Sequence, residues 1–332
     1  MHPQDLFFHL SKDIIVHPYQ GYAFYFQHKG EVLSYCNGKE KDSLSADITW
    51  HTHFRLASVS KQFIAYAVIQ LVESGYLKFD MPILDIYPDL PAYFQDITIF
   101  QLLHHTSGIF DYEDMPHQDT DPQIHDEDII PFLKTTTTTY FIPGTQYRYS
   151  NTGYILLGQL IQITSGMPLD DYLKTYVFEK AGLKDTIINH QGITKIKNRA
   201  YGHILENKKL IIQDQYWCSA TIADGGIYST VADLKRWIVY LLSQEEDLQK
   251  TMFHSHILID GVDTEYGMGM GIISIQGKKI YYHWGDTIGT NTLILFSKDE
   301  NIQCIFLTNL GHIDTLHLKD NIIQYIKELV KD

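Results

Sequence analysis

Cysteine is scarce in this sequence, and the little there is forms no pattern. Cys36, Cys218 and Cys304 are odd in number, far apart and never in a CxxC spacing. That excludes a disulfide framework and a thiolate metal knuckle, and it makes three buried, free thiols the expectation. Positive charge is short as well: 26 Lys and Arg stand against 40 Asp and Glu, a net charge of −14. Such a surface repels a polyanion, so no nucleic-acid partner is expected. No uncharged apolar run reaches the length of a membrane span. The opening "MHPQDLFFHL" has neither the basic flank nor the long apolar stretch of a secretory signal. A cytoplasmic protein is the expectation, or an exported one if a leader has been trimmed away. Internal repeats are absent, and low complexity is confined to the five threonines at 135–139. A β-branched run is a poor helix former, so these read as an extended connector.

What is present is a large apolar reserve. With 332 residues and 44% hydrophobic content, the chain can fill one large domain or two medium ones sharing a core. "GYAFYFQH" and "EVLSYC", joined at Lys29-Gly30, read as an antiparallel hairpin. Towards the other end, "GIISIQ", "KIYYHW", "TLILFS" and "IQCIFLTN" alternate apolar and polar residues and are separated by short turns. An amphipathic helix follows in "KDNIIQYIKELVKD", and the middle of the chain reads mainly as helix with Gly and Pro at the joints. The fold class is therefore α/β (α+β), with one antiparallel sheet built from both chain ends and terminal helices. Residues 1–56 and 262–332 form the sheet region and 57–261 a mostly helical insert, with the active site where they meet.

The stretch "FRLASVSKQF" places Ser58 three residues ahead of Lys61 at the start of an apolar helix that runs to Gly75. Phe63 to Ile69 carries no polar group except the Tyr66 hydroxyl, so this helix should be buried. Residues three apart share a helix face, which sets Lys61 beside Ser58. A serine hydroxyl is a poor nucleophile until a base takes its proton, and a lysine in a dry pocket can do so if burial lowers its pKa. Moving it from about 10.4 to about 7 costs roughly 4–5 kcal/mol, a cost that marks functional sites. Alone, Ser-x-x-Lys is a weak pattern, and its plainer reading is a helix cap and a solvated lysine.

Two further stretches decide between these. "PGTQYRYSNTGY" carries Tyr149, Ser150 and Asn151 ahead of a second apolar helix, and "YYHWGDTIGT" carries His283, Trp284 and Gly285 on a strand. With Ser-x-x-Lys, then Tyr-x-Asn, then His-x-Gly in that order, the chain resembles the serine β-lactamase and penicillin-binding-protein superfamily, nearest its class C and DD-peptidase-like branch. "LKFDMPILDIYPDLP", "ITIFQLLHHTSGI", "VFEKAGLKDT", "DGGIYSTVADLKRW" and "YGMGMGI" continue the likeness in order, over roughly residues 20 to 330. The resemblance implies the β-lactamase/DD-peptidase-like fold and Ser58 as an acylated nucleophile. It makes Lys61 and Tyr149 joint general base and then acid, with Asn151 positioning Lys61 and the substrate amide. His283 would take the place of the third-motif cation, with Trp284 and Gly285 beside it at the substrate. The main-chain N–H groups of Ser58 and Asp286 would form the oxyanion hole. Neither metal nor cofactor is implied, and the partner is a small-molecule or peptide substrate. A charged Lys61 would lower the Tyr149 phenol, but which of the two holds the proton is not readable, because they titrate as one unit.

The third motif departs from Lys-Thr-Gly. His283 is mostly neutral at pH 7 if unperturbed, and Trp284 replaces a hydroxyl with bulk. Both changes weaken recognition of a substrate carboxylate. The resemblance therefore implies a serine hydrolase acting on small esters or D-amino-acid-containing peptides. A β-lactamase is the alternative enzyme, and a slowly acylated sensor or scaffold is the alternative of another kind. Other patterns carry less. "GMGMG" at 267–271 has no helix after it, and the paired histidines lack metal-ligand spacing. His105 in "HHTSG" reads as structural. Residues 111–128 hold eight acids and no Lys or Arg, a candidate rim against anionic substrates.

Overall fold

The computed structural model describes residues 3–118, 122–190 and 194–329. In chain order the elements are α1 (Pro3–Ser11), β1 (Tyr22–His28), β2 (Glu31–Asn37) and β3 (Phe54–Arg55), then a 3₁₀ turn at Ala57–Ser60 and α2 (Lys61–Glu73). Next come α3 (Ile99–Leu103), α4 (Ile129–Thr135), α5 (Asn151–Ser165), α6 (Leu169–Leu173) and β4 (Ile187–Ile188). A hairpin of β5 (His203–Glu206) and β6 (Lys209–Ile212) precedes β7 (Ile227–Ser229), α7 (Val231–Ser243) and α8 (Glu246–Met252). Four strands, β8 (Gly271–Ile275), β9 (Lys278–Thr287), β10 (Thr290–Ser297) and β11 (Ile302–Thr308), lead to α9 (Leu316–Leu329).

Six of these strands make one sheet in the order β2-β1-β11-β10-β9-β8, with every neighbouring pair antiparallel. The two chain ends thus meet at the β1–β11 pairing, as the sequence implied. Lys29 and Gly30 at φ +49° and +91° close the first hairpin, where a two-residue turn with both φ positive matches strand twist. The sheet is covered on both faces. Tyr22, Phe24 and Phe26 of β1 pack with Leu10, Leu318 and Ile322 of the terminal helices and their flanks. Ala23 and Tyr25 turn the other way, into the core shared with α2, α5 and α7. Strands β10 and β11 are buried at every position, so the alternation expected of them is one of face and not of polarity.

The middle of the chain holds more strand than its pattern suggested: a three-stranded β3-β7-β4 sheet and the β5-β6 hairpin. Of the cysteines, all free, Cys304 is buried, Cys218 half-buried and Cys36 exposed, which corrects the expectation of three buried thiols. Thr135 ends α4, and 136–139 are irregular. Among the described residues no helix is long and apolar enough to cross a membrane.

One contact ties the sheet to the helical region. Leu56 donates its N–H to Ile227 O, and its carbonyl accepts from Thr292 Oγ1 at 2.8 Å. Strand β9 passes so close that a Cβ on Gly285 would fall on Leu56 O and Thr292 Oγ1, with Ala57 Cβ just beyond. Gly285→Ala should therefore lower stability by about 1–3 kcal/mol, read as a fall in Tm. An unchanged Tm would contradict this close approach.

Candidate active site

The polypeptide turns sharply at Ala57, whose φ of +48° is unusual for a residue with a side chain. The turn is held between β7, β9 and β10, and it presents Ser58 at the wall of a cavity of about 370 Å³. Ser58 lies in the 3₁₀ turn, and α2 starts only at Lys61, three residues later than the sequence suggested. The spacing still brings the two side chains together: Lys61 Nζ donates to Ser58 Oγ at 3.1 Å. It also donates to Asn151 Oδ1 at 2.6 Å and to the main-chain carbonyl of Asp224 at 2.9 Å. Three N–H donors thus meet three acceptors, while the residue as a whole is fully buried. Ser60, the neighbouring serine, faces away and accepts from Ile227 N–H.

Burial lowers the Lys61 pKa to about 8, against the opposing pull of the Asp224, Glu113 and Asp111 carboxylates. Near neutral pH a small but useful fraction is the amine. The Tyr149 ring lies 4.9 Å from Nζ, measured to its centroid. Among the described residues its buried hydroxyl has no partner in full hydrogen-bond geometry, although it is close enough to Ser58 for that hydroxyl to lower its pKa. Burial dominates and pushes the phenol well above its usual value. The expected lowering of Tyr149 by Lys61 is thus reversed in this dry setting. Tyr149 stays a neutral phenol, and Lys61 is the group that can lose its proton.

The loop at His105 fixes Tyr149. His105 Nδ1 accepts from Ser150 N–H at 3.0 Å, its carbonyl accepts from Arg148 N–H, and its ring lies 4.2 Å from that of Tyr149. Asn151 opens α5 behind the Ser150 cap, and its own N–H donates to Asp111 Oδ2. Burial raises Asp111 to about 6.

The third motif differs from expectation. Trp284 and Asp286 line the cavity with Ser58. His283 and Gly285 do not. His283 is 1% exposed, its Nδ1 lies 2.7 Å from Trp284 O and its Nε2 lies 2.9 Å from the Tyr266 hydroxyl. The carbonyl can only accept, so the proton sits on Nδ1 and Nε2 accepts from Tyr266. Burial, with Lys61 nearby, pushes His283 down to about 3. It supplies no positive charge at the cation position. Gly285 acts as the spacer described above. The Trp284 indole lines the cavity and stacks on Tyr282, 6.0 Å away.

Of the described acids in the run, Glu113 alone reaches the cavity. Glu113 is exposed as a residue, yet the packing around its carboxyl, with the Asp224 and Asp111 charges, raises its pKa to about 7. Asp126 turns away and accepts from the N–H groups of Ile222 and Ala223, which anchors the turn before Asp224. Asp119 and Asp121 lie outside the described residues. Arg55, Tyr112, Cys218, Thr221 and Asp224 also line the wall, and sequence reasoning missed them. Asp224 precedes the paired glycines of "DGGIYST", but it holds Lys61 through a carbonyl that every residue possesses. "GMGMG" packs on the start of α2, with Gly269 against the Lys61 main chain.

This arrangement can take a proton from Ser58 only when Lys61 is an amine. The kcat/KM for a neutral activated ester should therefore rise about tenfold per pH unit towards pH 8 and level off above it. A flat profile between pH 6 and 8 would remove Lys61 as the base.

Comparison with known proteins places these features in context. The model of the Beta-lactamase family matches residues 15–325. Penicillin-binding protein 4* of Bacillus subtilis is 30% identical over 77% of this chain and 60% of its own length. A D-aminopeptidase of Cereibacter sphaeroides is 21% identical over 78% of this chain and 50% of its own. The chain thus spans only half to three-fifths of these curated relatives. The structure of a penicillin-binding protein from Bacillus halodurans superposes with a TM-score of 0.80 at 24% identity, covering 98% of this chain and 99% of that one. With that family model matching nearly the whole length, the chain belongs to the Beta-lactamase family.

Proposed function

We propose that this chain is a serine hydrolase that forms an acyl-enzyme on Ser58, taking small esters or D-amino-acid-containing peptides and amides. The observation that carries the reading is the 3.1 Å contact between Ser58 Oγ and a fully buried Lys61 whose pKa has fallen to about 8. The D-aminopeptidase among the relatives supports the choice of substrate.

In this reading Lys61, as the amine, takes the Ser58 proton while Oγ attacks the acyl carbonyl. The oxyanion that forms is held by the main-chain N–H groups of Ser58 and Asp286, whose residues line the same cavity. The proton then passes, through Lys61 and the neutral Tyr149 phenol, to the departing alkoxide or amine. Water attacks the ester by the reverse relay and releases the acid. Asn151 holds Lys61 in line and offers its amide N–H to the substrate.

The β-lactamase alternative needs a partner for a carboxylate. At the third motif the neutral, buried His283 and the indole of Trp284 both argue against one there.

Ser58→Ala should abolish hydrolysis. Ser60→Ala should keep activity per folded molecule while losing about 1–3 kcal/mol of stability, because Ile227 N–H loses its acceptor. Lys61→Ala and Tyr149→Phe should each lower kcat about a hundredfold or more, and the double variant should be little worse than the poorer single. Additive losses would separate the two roles. Trp284→Thr should raise kcat/KM for a chromogenic cephalosporin about tenfold to a hundredfold and change that for a nitrophenyl ester far less. Equal shifts on both substrates would show that Trp284 only shapes the cavity.

A further inference from the structure

A second cavity lies at the far ends of the two helices that begin at the Lys61–Asn151 contact. Helix α2 starts at Lys61 and α5 at Asn151, and their last turns line a cavity of about 300 Å³ through Gln70, Ser74 and Thr164. A helix of 13 residues, at 1.5 Å each, puts it about 20 Å from Lys61. The other walls come from Tyr76, just past α2, and from Tyr172 and Tyr176 in α6 and the turn after it. No charged side chain lines this cavity among the described residues.

A helix C-terminus carries about half a negative charge, which a Lys, Arg or His in the last turn normally offsets. Neither α2 nor α5 has one, and α2 ends on Glu73, of the wrong sign. Beyond α5, Met167 N–H turns to Ser165 Oγ and Pro168 has no N–H to give. The carbonyls of Ile163 and Thr164 therefore receive no hydrogen bond among the described residues. Gln70 Oε1 is buried and likewise without a partner among them. Two like-signed helix ends and an unused amide oxygen leave a demand for positive charge that brings N–H donors.

The rings narrow the choice of cation. Tyr76 is 67% exposed and Tyr176 43%, so large aromatic faces stand open at the edge of the cavity. The Tyr176 ring lies 4.8 Å from that of the buried Tyr172. A primary ammonium is compact and strongly hydrated, and a quaternary one has no N–H for Gln70. A guanidinium is planar, weakly hydrated and rich in donors, and it stacks on aromatic faces.

We propose that this cavity binds a guanidinium group, its plane against the tyrosine rings and its N–H groups directed to Gln70 Oε1 and the helix-end carbonyls. The site is separate from the Ser58 cavity and stands whatever reaction that cavity performs.

The test is titration calorimetry of the intact protein with butylguanidine and with butylurea, an uncharged counterpart of the same shape. Butylguanidine should bind to one site per chain, about tenfold or more tighter than butylurea. Tyr76→Ala and Tyr176→Ala, both at exposed rings, should each weaken it about threefold to thirtyfold. Ser74→Lys supplies a resident ammonium where the helix ends meet, so it should raise Tm and remove butylguanidine binding. Ser74→Gln, of similar length without the charge, should do neither. An Arg side chain carries the same group, and Gly-Arg-Gly amide distinguishes the sources: tighter binding than butylguanidine points to a peptide ligand, weaker binding to a small molecule. Equal affinities for butylguanidine and butylurea, no saturable binding, or affinity unchanged in both tyrosine variants would overturn the site. Undiminished binding to Ser74→Lys, or an equal loss in Ser74→Gln, would overturn it as well.

Discussion

The structure around the cavity is organised by one buried ammonium. Lys61 is fully enclosed, and a charge taken out of water is tolerated only where every donor finds an acceptor. Its three acceptors come from three separate parts of the chain: the turn at Ser58, the start of α5 at Asn151 and the turn at Asp224. Each of those parts is secured in turn. Thr292 and Ile227 pin Leu56, Asp111 holds the Asn151 N–H, and Asp126 anchors the N–H groups ahead of Asp224. All three lie in the helical region, and the sheet reaches them through Thr292 and Gly285 at the Leu56–Ala57 turn. The same enclosure brings its pKa within reach of neutrality, so stability and reactivity have one physical origin.

Burial acts on the neighbouring groups in opposite directions by one rule, which is that the charged form is disfavoured. It lowers Lys61 and His283 and raises Tyr149, Asp111 and Glu113. The result is a division of labour. The lysine can be a base, the phenol remains a proton carrier, and the histidine becomes a neutral link between Tyr266 and strand β9. No fixed positive charge then faces the cavity from the third motif. Glu113 and Asp224 line that space together with Arg55.

Much of this was legible in the sequence. Ser58 and Lys61 are three residues apart, and helical geometry alone predicts their contact. The hairpin at Lys29-Gly30 and the strands that close with β11 were visible from turn residues and apolar runs. What escaped has physical reasons. Strands β3, β4 and β7 are two or three residues long, too short for any period to show. The face-to-face alternation in β10 is hidden because both faces are apolar. His283 stood at the position of the third-motif cation, and nothing local reveals that Tyr266, seventeen positions earlier, donates its hydroxyl to Nε2 inside the fold. Asp224 contributes through a main-chain carbonyl, which carries no side-chain signature.

The most direct test is intact-protein mass spectrometry after rapid acid quench of the chain mixed with a nitrophenyl ester. The account predicts a mass increase of one acyl group, absent in Ser58→Ala and present in Ser60→Ala, that decays as ester is consumed. Peptide mapping should place it on the segment between Arg55 and Lys61. Turnover with no adduct at any quench time, or an adduct that persists in Ser58→Ala, would contradict the acyl-enzyme on Ser58.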